Sequence, residues 1–241
     1  RIAAAMVPIL SVAVAYLLLR TPSESGSIPM LSLSTPFGGL LQTQLPDSSH
    51  IWLNANSSLE YPAVFDENQR RVVLQGEGYF EVKADKKHPF IVCTGDIDII
   101  ATGTAFNVNA YNDADACYTT LVYGKVNFST PDQKIITLAP GEQAVASSRG
   151  IEKRAVDVDE YIGWARGVYV FNNKRLGDIM KTFERWYDVH VYYEDASLCD
   201  LTYSGDLQRY GTINTFLDAL ELTGDIYYRI NGRNILIYKN E

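Results

Sequence analysis

Between residues 33 and 158 apolar and polar side chains alternate. Phe80-Glu81-Val82, Phe106-Asn107-Val108 and Val126-Asn127-Phe128 each carry an apolar residue at every second position. Successive side chains of a strand point to opposite faces, so this period predicts half-buried antiparallel strands. Glycines fall where these strands begin or turn, at Gly76, Gly78, Gly103 and Gly124. There a missing Cβ permits positive φ or close backbone approach. Shorter runs at 41–45, 50–54, 89–92, 97–100, 135–138 and 143–146 read as further strands, separated by turn chemistry at Pro46-Asp47-Ser48-Ser49 and Pro140-Gly141-Glu142. No stretch here keeps a helical period for three turns. The pattern predicts an all-β domain, either a sandwich or a short solenoid.

Beyond a short acidic connector at 157–164 the period changes. A strand at 168–171 leads to Asn172-Asn173, which reads as a helix cap. The helix would carry Leu176, Ile179, Met180, Phe183 and Tyr187 on its buried face. Strands at 190–193 and 202–204 follow. Thr212 would cap a second helix with Ile213, Phe216, Leu217 and Leu220 inward and Gly224 at its end. Strands at 226–230 and 234–238, joined at Asn231-Gly232, close a β-α-β-β-α-β-β unit.

At the other end, residues 2–19 are an uncharged apolar run closed by Arg20. As a helix it would measure roughly 27 Å against a hydrocarbon layer of ~30 Å, which predicts a membrane span. A signal peptide is the competing reading, but no A-x-A-like cleavage site follows. Pro, Ser and Gly dominate residues 21–32, which read as a linker open to proteases. The expected division is a membrane helix at 1–20, the linker at 21–32, the all-β domain at 33–160 and the α+β domain at 161–241. The fold class is therefore mainly β plus α+β. The chain opens on Arg1, and a segment preceding it is expected.

Composition narrows the chemistry. With 29 acidic and 21 basic side chains the net charge is −8, which repels phosphate backbones and argues against nucleic-acid binding. Cys93, Cys117 and Cys199 form no CxxC pair, so a zinc site is not expected. An oxidising compartment would allow a Cys93–Cys117 bridge; three unpaired thiols is the other reading. His50, His88 and His190 are scattered, the pairs Asp96/Asp98 and Asp113/Asp115 lack a calcium loop, and Gly76-x-Gly78 lacks the third glycine of a nucleotide fingerprint. No Gly-x-Ser-x-Gly occurs. Neither an enzyme nor a metal or other cofactor is expected. Tyr192-Tyr193 and Tyr227-Tyr228 each place one ring on either face of a strand, and the outward rings are candidate contact residues.

Several ordered blocks carry a family resemblance: Leu45-Pro46-Asp47, Trp52-Leu53-Asn54-Ala55, Leu59-Glu60-Tyr61-Pro62, Gly76-Glu77-Gly78-Tyr79-Phe80-Glu81-Val82, Pro89-Phe90-Ile91-Val92, Thr102-Gly103-Thr104-Ala105-Phe106-Asn107-Val108, Thr119-Thr120-Leu121-Val122-Tyr123-Gly124-Lys125-Val126 and Leu138-Ala139-Pro140-Gly141-Glu142. Together they resemble the FecR family of membrane-bound anti-sigma regulators. Val170-Phe171-Asn172-Asn173, Leu176, Ile179, Tyr203-Ser204-Gly205 and Thr212-Ile213 make the C-terminal part similar to the STN (secretin and TonB short N-terminal) module. Ser48-Ser49 stands where the family often has Gly, and Ala101 where it has a larger apolar residue.

The resemblance implies an inner-membrane protein with one span and a periplasmic sensor. The sensor would meet the signalling domain of a TonB-dependent outer-membrane transducer. An extracytoplasmic-function sigma factor would be held by a segment outside this chain. Docking by strand addition is expected at the closing hairpin, through Ile226, Tyr227, Tyr228, Arg229, Ile235, Ile237 and Tyr238. The alternative is a membrane-anchored periplasmic glycan-binding protein or scaffold using Trp52 or Tyr111 as exposed aromatic platforms.

Overall fold

The alternating segments form thirteen strands of one hydrogen-bonded sheet. They are β1 (Met30–Thr35), β2 (Leu41–Gln44), β3 (His50–Leu53), β4 (Ser57–Pro62), β5 (Arg70–Glu81), β6 (Phe90–Thr94), β7 (Ile97–Ala101), β8 (Ala105–Ala110), β9 (Ala116–Tyr123), β10 (Val126–Ser129), β11 (Ile135–Leu138), β12 (Glu142–Ser147) and β13 (Gly150–Ala155). The computed structural model describes residues 28–129 and 135–239. The apolar run at 2–19, and with it the expected membrane helix, lies outside the described residues. Among those described, no helix is long and apolar enough to cross a membrane.

β5 organises the sheet. Its first half pairs with β4 (Leu59↔Leu74) and runs parallel to β6 (Val72↔Val92). From Gly76 onward it pairs with β8 and β3 instead (Gly76↔Ala110, Leu53↔Gly78). The sheet thus folds over on itself at Gly76, nearly closing, so that its halves share one core. Gly76 has φ +88°, and a Cβ there would collide with the Ser57 hydroxyl and lie 2.9 Å from the Asn56 carbonyl. No other residue fits this bend. Immediately beyond it, Phe80 stacks on Phe106 with centroids 5.3 Å apart, and Phe90 packs 6.1 Å from Phe80. All three rings are fully buried.

A helical turn, α1 (Asp159–Ile162), and a 3-10 turn (Gly163–Arg166) lead to the second lobe. Its order is β14 (Val168–Arg175), α2 (Leu176–Tyr187), β15 (His190–Tyr193), β16 (Thr202–Gln208), α3 (Ile213–Glu221), β17 (Tyr227–Asn231) and β18 (Asn234–Tyr238), the expected β-α-β-β-α-β-β. β14 pairs with β16, while β18 lies between β17 and β15 and runs parallel to β15. The helices bury Leu176, Ile179, Met180, Phe183 and Trp186, and Ile213, Phe216, Leu217 and Leu220.

Several local expectations are corrected. Asn172 and Asn173 do not cap α2. They sit in β14, where the register slips between Phe171 and Lys174 and Asn173 takes φ +47°. Asparagine tolerates that left-handed geometry, and the pair is absorbed as a bulge. Thr212 holds the capping position of α3, yet its hydroxyl lies 3.2 Å from that of Thr215 rather than on a helix amide. On α2 it is Trp186, not Tyr187, that is fully turned inward, because the helix also faces the first lobe. Met30 to Ser32 belong to β1, paired with β4, and not to the linker. The reading of three unpaired thiols holds: Cys93, Cys117 and Cys199 are free. Cys93 donates to Asp98 Oδ1 at 3.0 Å.

Two outcomes follow from this packing. Gly76→Ala should cost at least ~2 kcal/mol in denaturant unfolding, since it adds both a clash and a disfavoured φ. Burial, joined at Cys93 by Asp98, pushes the thiols of Cys93 and Cys117 up to about 12. At pH 8 both should therefore alkylate roughly 10³-fold more slowly than an unstructured cysteine, a rate read by timed iodoacetamide labelling.

Candidate functional site between the lobes

The residues that join the lobes are polar and buried. Asn54 follows β3 and is 2% exposed. Its Oδ1 accepts three hydrogen bonds: from Arg209 Nη1 at 2.6 Å, from Trp186 Nε1 at 3.1 Å and from the Ala55 amide at 2.8 Å. Its Nδ2 donates to Glu77 Oε2 at 2.7 Å. The other oxygen of the buried Glu77 carboxylate accepts from Asn107 Nδ2 at 3.0 Å. Asn107 Oδ1 in turn accepts from Trp164 Nε1 at 3.2 Å. Two indoles, one from the connector and one from α2, thus each donate to an asparagine of the first lobe. A buried indole N–H needs such a partner.

Arg209, at the end of β16, completes the knot. Its Nη2 donates to the Gly39 carbonyl at 2.6 Å, and its guanidinium lies 4.4 Å from the Trp186 ring centroid. Burial works against its charge, and Tyr111, Tyr210 and Glu77 partly restore it. Asn54 stands between cation and carboxylate and satisfies both. A second set of contacts flanks it. The Arg185 guanidinium lies 4.0 Å from the Tyr111 ring centroid and pairs with Asp113 at 2.9 Å, while the Gly38 amide donates to the Arg185 carbonyl at 2.8 Å. Apolar Ala55, Tyr79 and Ala105 of the first lobe pack into the core of the second.

The closing hairpin looks different from its sequence pattern. Ile226, Ile235 and Ile237 are fully buried, so their side chains are core and not contact residues. Alternation places them inward, against α2 and α3. Tyr227, Tyr228 and Tyr238 are half-buried and Arg229 is exposed. Tyr227 packs 6.0 Å from Tyr238, and the Arg229 guanidinium lies 5.9 Å from Tyr238. β17 pairs with β18 alone, leaving its other edge unpaired among the described residues. Of the two proposed aromatic platforms, Tyr111 is corrected, whereas Trp52 is half-buried. Tyr111 is buried under Arg185, with its hydroxyl donating to the Ala55 carbonyl at 2.6 Å. Trp52 packs 5.3 Å from Tyr79. Among the described residues no group of three or more His, Cys, Asp or Glu is placed to hold a metal ion.

The family models fall one in each lobe. One, described as FecR protein, matches residues 32–127, and another, FecR, C-terminal, matches residues 168–237. The chain belongs to the FecR family of anti-sigma factors. Two crystal structures of a candidate anti-sigma factor from Parabacteroides distasonis have the same architecture as this FecR chain. Each superposes with a TM-score of 0.81 at 28% identity, covering 88% of this chain and 100% of the other. No curated protein matches.

The seam between the FecR lobes makes a direct prediction. Arg209→Ala strips a charged donor from Asn54 and leaves the Gly39 carbonyl without it, a loss of ~2–4 kcal/mol. The lobes should then unfold in separate steps or be cut faster in the connector. In an Asn54→Ala background the same change should cost less, by a coupling of ~1–3 kcal/mol in a double-mutant cycle.

Proposed function

We propose that this FecR-family chain is the sensing arm of a single-pass inner-membrane anti-sigma factor, with its two lobes in the periplasm and no catalytic activity of its own. The uncharged run at 2–19 supplies the span, and a segment outside the chain holds an extracytoplasmic-function sigma factor. The lobes receive the signalling domain of a TonB-dependent outer-membrane transducer. The C-terminal lobe serves as an STN-like docking module.

One observation carries this reading: a family member whose second lobe leaves the edge of β17 unpaired among the described residues. Strand addition there would use backbone hydrogen bonds for affinity, with Tyr227, Arg229 and Tyr238 selecting the partner. The sheet behind that edge shares a core with Trp186, whose indole reaches Asn54. Docking has a mechanical route to the seam through this core. A transducer that favours one lobe arrangement shifts the population of that arrangement. Reorientation would expose the stretch before β1 to proteolysis.

The test uses the intact membrane protein and the isolated signalling domain of its transducer. Arg229→Glu combined with Ile230→Lys should weaken binding ~10-fold or more, equivalent to ~1.4 kcal/mol, with unchanged circular dichroism. Undiminished binding would move the docking surface elsewhere. Proteolysis at residues 21–29 that is the same with and without the signalling domain would reject the exposure step.

A further inference from the structure

A cleft of about 420 Å³ opens beside the polar knot, with walls from both lobes. This lies within the ~300–1,000 Å³ of typical ligand sites, which favour domain interfaces. Asn109 of β8, Tyr118 of β9 and Asp115 just before β9 stand on the first lobe's side. Lys174 of β14, Asp178 of α2 and Tyr161 of α1 also line it. Carboxylates and cationic side chains line the cleft in equal number, so its formal charge cancels. A phosphorylated or multiply charged ligand is disfavoured there.

The second observation is the bulge. β14 could run straight through Asn172 and Asn173, but the register slips there and Asn173 takes φ +47°. Asn173 and Lys174 both border the cleft. Bulges of this kind re-aim side chains and gather at functional sites. The Lys174 ammonium lies 5.6 Å from the Tyr169 ring centroid. Burial opposes its charge, but Tyr169, Tyr161 and Glu77 more than offset that and hold it above the ordinary lysine range. Burial pushes the Tyr118 phenol above its ordinary value. The cleft therefore offers donors at Lys174, Tyr118 and Asn109, acceptors at Asp115 and Asp178, and half-buried rings at Tyr118 and Tyr161.

We propose that this interlobe cleft binds a neutral, polyhydroxylated molecule of mono- to disaccharide size. Hydroxyls donate and accept together, which suits a wall that alternates donors and acceptors. The C–H face of a sugar ring packs on an aromatic face. Because both lobes contribute, the bound molecule draws them together, and its affinity is coupled to the state of the seam. The proposal deepens the sensing role, adding a small-molecule input separate from docking at β17. It is measured on the chain alone, so it stands or falls independently of transducer binding.

The experiment is calorimetric titration and thermal unfolding of the full chain with maltose, cellobiose, xylobiose and N-acetylglucosamine, and with glucuronate and glucosamine as charged counterparts. At least one neutral probe should bind saturably with Kd of ~1 mM or tighter and raise Tm by ~3–6 °C at tenfold excess over Kd. Charged counterparts should bind ~10-fold more weakly or not at all. Lys174→Gln and Tyr118→Ala should each reduce the affinity ~10-fold or more, with Leu222→Ser, at an exposed site away from the cleft, unchanged. If Tyr118→Ala does not fold, Asp178→Asn takes its place. Absence of saturable binding by every neutral probe, preference for a charged one, or binding that survives the cleft variants would overturn the proposal.

Discussion

A carboxylate without water around it has to be given donors, and the architecture is arranged to supply them to Glu77. It lies one residue beyond the bend at Gly76, so the geometry that folds the sheet also fixes where the charge points. Asn54 and Asn107 each give it an amide proton. Their remaining oxygens then require donors of their own, and those come from the other lobe, through Trp186 and Arg209, and from the connector, through Trp164. Unmade hydrogen bonds of buried charged groups are expensive, typically ~1–3 kcal/mol or more each. The lobe orientation is thus set by directional bonds as well as by apolar burial.

That kind of joint is suited to switching. Apolar surfaces slide with gradual loss of contact, whereas a relay from Arg209 through Asn54 to Glu77 is either in register or broken. The apolar contacts at Ala55, Tyr79 and Ala105 keep the lobes adjacent and leave the choice of register to the polar knot. The Arg185–Asp113 pair beside it is half open to solvent, with Asp113 57% exposed, and contributes less through charge than through the packing of Arg185 on Tyr111.

Much of the fold is legible in the alternation of residues such as Phe80, Phe106 and Phe128, because one buried face imposes a period of two. The same rule hides the seam. Asn107 occupies an outward position of β8, and alternation marks such a position as polar and solvated. It has no means of showing that a lobe encoded sixty residues later covers it. Trp164 and Trp186 were the available signal, since buried indoles demand acceptors. The Asn172-Asn173 pair reads as a cap because capping and the left-handed bulge draw on the same residue type. In the closing hairpin the pattern correctly marks strands, but Ile226, Ile235 and Ile237 belong to the face under the helices and not to the one offered outward.

The position of β18 has a consequence for biogenesis. In sequence order it is the last of the described strands, yet it occupies the middle of its sheet, antiparallel to β17 and parallel to β15 some forty residues earlier. Until the residues of β18 emerge, β15 and β17 have no common neighbour, and Phe183 and Phe216 lack Ile235 and Ile237, which close their side of the core. The first lobe has its whole sheet by residue 155 and does not wait. Completion of the second lobe therefore follows that of the first, and a nick just ahead of β18 would remove a keystone of its sheet.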